Sequence, residues 1–74
     1  MSAVSDKVIA TSKPYLGPAA ESFISRQCKA HLKVELIDLS SAHLKDLAKW
    51  VELGAGLIMD QTKAVELAKK ISAG

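Results

Sequence analysis

Apolar residues recur every three or four positions along almost the whole chain, and the β-branched residues are scattered instead of alternating with polar neighbours. This spacing predicts an all-α fold: a compact bundle of four short helices with no sheet. Helix 1 is expected to begin near Ser2 or Ser5, either of which can cap, and to present Val4, Val8, Thr11 and Tyr15 on one side. Pro14 lacks an amide proton and biases Lys13 away from helical angles, so an end or a kink is expected near Ser12.

Gly17-Pro18 combines a helix breaker with a residue suited to a first helical position. Helix 2 is expected from Pro18 to about Lys33. Leu16, Ala20, Phe23, Ile24, Gln27, Cys28 and His31 fall on one arc, with Ser22, Arg26, Lys29 and Lys33 opposite. Gln27 and His31 are the polar members of that arc, and buried polar groups need partners. Val34 to Asp38 reads as a connecting loop.

Ser40 is a good N-cap for helix 3, and Leu39 and Leu44 have the spacing of a hydrophobic staple. The core face is expected to carry Leu44, Leu47, Ala48, Val51, Ala55 and Ile58. Trp50 and Leu57 widen it, so the second half of this helix is apolar over most of its circumference. Gly54 and Gly56 weaken a helix unless they admit a close neighbour or mark a bend. Asp60 or Thr62 can cap helix 4, which turns Ala64, Val65, Leu67, Ala68 and Ile71 inward and places Glu66 one turn before Lys70.

A length of 74 residues allows one domain, spanning 1–74, whose small core leaves much of its surface wet. With 49% hydrophobic and 24% charged residues the chain belongs with globular proteins and not disordered ones. A net charge of +2 is too low to argue nucleic-acid binding from bulk electrostatics, so that case rests on local patches. Cys28 stands alone, which excludes an intrachain disulfide and favours a reducing compartment. No apolar stretch follows a basic segment at the start, and no apolar run is long enough to span a bilayer. The expected setting is the cytoplasm, with no membrane insertion.

Candidate chemistry is sparse. Cys28, His31 and His43 lack the paired spacing of a structural zinc site, so no metal and no cofactor are expected. No carboxylate pair or thiol–imidazole–orienter set is recognisable, which argues against an enzyme. Gly54-Ala55-Gly56 opens like a dinucleotide fingerprint but has Met59 where the third glycine belongs, and no strand precedes it. The helix 3 to helix 4 segment lacks the Arg, Asn and Gln cluster of a base-reading helix.

Two surfaces remain. Trp50, Leu53 and Leu57 form an apolar excess on helix 3 that suits binding another protein or a second copy of this chain. The leading expectation is therefore a non-enzymatic protein-interaction or regulatory module, with self-association through helix 3 as one form of it. The alternative uses the basic stripe Arg26, Lys29 and Lys33 on helix 2 to hold nucleic acid or an acidic ligand.

Overall fold

A computed structural model describes residues 3–73. It is all-helical, with no strand among those residues, and its α-helices are α1 (Ala3–Leu16), α2 (Ala20–Gln27), α3 (Leu44–Ala55) and α4 (Gln61–Ser72). α3 and α4 form the most extensive pair; α1 lies across α4 and α2, and α2 returns along α3.

α1 does not end near Ser12. It runs through Pro14 to Leu16 and stops where Gly17 takes the left-handed conformation at φ 63°. Pro14 sits in the last turn on an exposed side, opposite an exposed Ala10, so the carbonyl it leaves unbonded faces water. The buried face also differs from expectation: Ser5, Val8, Ile9 and Ser12 are enclosed, while Val4 and Tyr15 pack on the margin of the core and Thr11 is half-buried. Ser12 can be buried because its hydroxyl donates to the Val8 carbonyl at 2.8 Å. Ser5 lies inside α1 and so is not its cap, and Ser2 lies outside the described residues.

The expected single helix from Pro18 to Lys33 is three pieces. Gly17–Ala19 form a 3-10 turn with Pro18 near its start, α2 follows, and Cys28–Leu32 widen into a π-helical turn. Lys33 closes it in the left-handed region, at φ 59°, and both its amide and that of Val34 donate to the Cys28 carbonyl. Leu16 ends α1 and so does not open the arc of helix 2. Ala20, Ile24, Gln27 and Cys28 are buried and Phe23 is half-buried, whereas His31 is exposed.

The connector is not featureless. Leu36–Asp38 form a 3-10 turn that buries Leu36, and Leu39 is enclosed just beyond it. A second 3-10 turn, Ser41–His43, leads into α3. The Ser40 amide donates to Nδ1 of His43 at 3.1 Å, and the His43 amide donates to the Ser40 carbonyl at 3.0 Å. His43 thus fills the place that Glu takes in the usual capping box, with its ring proton on Nε2.

Leu44, Leu47, Ala48, Val51 and Ala55 of α3 are buried as the periodicity requires. Ile58 is not; it is 66% exposed, because α3 ends at Ala55 and Ile58 falls in the turn after it. In α4, Ala64, Leu67, Ala68 and Ile71 are buried and Val65 is only half-buried. Ile24, Leu39, Leu47, Leu67 and Ile71 are the largest enclosed side chains, each contributing roughly 1.5–3 kcal/mol by burial.

Candidate functional site

The line of contact between α2 and α3 organises the most unusual surface of the molecule. The two run antiparallel: Phe23, early in α2, meets Gly54 late in α3, and His31 meets Trp50 one turn earlier. Gly54 is there for space. A Cβ built on it would stand 3.0 Å from Cζ of Phe23 and 3.5 Å from Nε2 of Gln27, so the bare backbone admits both side chains.

His31 stacks flat on Trp50, with ring centroids 3.9 Å apart and planes within 6°. Such a pair contributes about 0.5–1.5 kcal/mol beyond its buried area. The π turn makes this alignment possible. A regular α-helix drifts around its axis over the steps Phe23, Gln27, His31, whereas a wider turn advances less per residue and keeps His31 over the α3 side. The ammonium of Lys49 lies 5.5 Å from the Trp50 ring centre, a second cation-accessible contact on the same indole.

Beyond Trp50, going around α3 away from the core, stands Leu53 at 56% exposure, and Leu57, past the end of the helix, is 86% exposed. Trp50 and Leu53 thus lie on α3, with Trp50 half-buried and pinned by His31, whereas Leu57, expected on the same helix, falls in the turn that begins after Ala55. Ile58 is exposed beside it in the same turn.

The basic residues expected on helix 2 line two shallow depressions that share Lys29. Arg26 and Lys29 line a shallow depression with Ser22, Ser25 and Ala30. Lys33 lines a second one with Lys29, Val34, Glu35 and Asp38. Lys29 is itself 3.5 Å from Glu35.

Cys28, His31 and His43 do not converge. Cys28 is buried, its thiol pushed up from the ordinary range by desolvation, while His31 lies on Trp50 and His43 caps α3. No three His, Cys, Asp or Glu side chains among the described residues are arranged to hold a metal ion. No helix among them is long and apolar enough to cross a membrane.

Sequence reasoning did not pair His31 with Trp50 or see Phe23 against Gly54. The signal present was the polar residue at the end of an apolar arc and a glycine inside an apolar helix, each of which asks for a particular neighbour. The surface is read from its own geometry, since no protein-family model, curated protein or solved structure matches the chain.

Proposed function

We propose that this protein is a non-enzymatic interaction module that engages another protein through the outer face of α3. The observation that carries the reading is the exposure of Leu53 on α3 and of Leu57 in the turn after it, together with a half-buried Trp50. Leaving large aliphatic side chains in water forgoes roughly 1.5–3 kcal/mol each, and contiguous exposed apolar residues around an aromatic anchor are the usual composition of a binding centre. Trp50 is also held by His31 before any partner arrives, which lowers the ordering cost of binding. A lone buried thiol supports a reducing, cytoplasmic setting for that activity.

Site-specific photocrosslinking in cells tests the reading. A photoreactive residue at Leu57 is expected to give a discrete adduct with a protein, and one at Ser22, on the outside of α2, is not. Adducts that are absent from position 57, or equally abundant from both positions, would overturn it.

A further inference from the structure

We draw no further inference here: the strongest candidate, the exposed apolar patch made by Leu53 on α3 with Leu57 and Ile58 in the turn after it, carries nothing beyond the interaction reading because nothing in the structure shows what covers it.

Discussion

The imidazole of His31 lies parallel to the indole of Trp50 at a centroid distance of 3.9 Å, joining the end of the α2 segment to the middle of α3. This contact fixes the Trp50 ring. His31→Ala is expected to lose about 0.5–1.5 kcal/mol of stability from the stack and to shift Trp50 fluorescence to the red as one ring face meets water. His31→Phe restores both. An unchanged emission spectrum in His31→Ala would mean that the ring is held by other contacts.

Gly54 is expected to reject even a methyl group. In an open helix Gly→Ala gains about 1 kcal/mol, but here the new Cβ meets the Phe23 ring at 3.0 Å. Overpacking of that kind costs about 1–3 kcal/mol, so Gly54→Ala is expected to be net destabilising in urea titration. Pairing it with Phe23→Leu is expected to recover part of the loss, a coupling that a double-mutant cycle measures.

Lys33 gives the opposite case. It closes the π turn with φ at 59°, a region where a Cβ is unfavourable. Lys33→Gly is expected to raise stability by about 1 kcal/mol, after the glycine's extra unfolded-state entropy is subtracted, and Lys33→Ala to leave it nearly unchanged. Equal midpoints for the three proteins in urea titration would count against strain at this position.

Tyr15 on α1 donates a hydrogen bond to the Glu66 carboxylate on α4, and Lys70 adds an ion pair at 4.0 Å. The hydrogen bond, with help from Lys70 and Lys63, holds the Glu66 carboxyl below its ordinary value of 4.5. A lowered folded-state value means that the unfolded chain binds the proton more readily. The contribution is therefore complete above pH 4.5 and disappears as the pH falls through the lowered value. Tyr15→Phe is expected to have a lower melting temperature than the parent at neutral pH, and the two curves are expected to converge as the pH falls below that range.

Much of the fold was legible because one physical rule, burying every third or fourth residue, governs most of the chain. It located α4 and the enclosed face of α3, from Leu44 to Ala55, closely. It failed where the backbone leaves the regular period. Ile58 was carried along the wheel past Gly54 and Gly56, although the helix stops at Ala55. His31 was placed on the buried arc because a wheel has no means of showing a π turn. Ser5 and Ser12 read as polar, yet small hydroxyls are easily enclosed, and the bond from Ser12 to Val8 is invisible in a hydrophobicity pattern. The Trp50, Leu53 and Leu57 surface was visible as an excess of apolar residues. Its division into a pinned aromatic and free leucines depends on a neighbour from a distant part of the chain.

The π turn has a bearing on lineage as well as on shape. A π turn is in effect an α-helix carrying one additional residue. A version of this chain one residue shorter between Cys28 and Leu32 would keep Ile24 and Leu47 in their places but swing the side chain at position 31 away from Trp50. A single-codon insertion in this segment would thus be enough to create the lid over the indole, so kin that share the core need not share the surface.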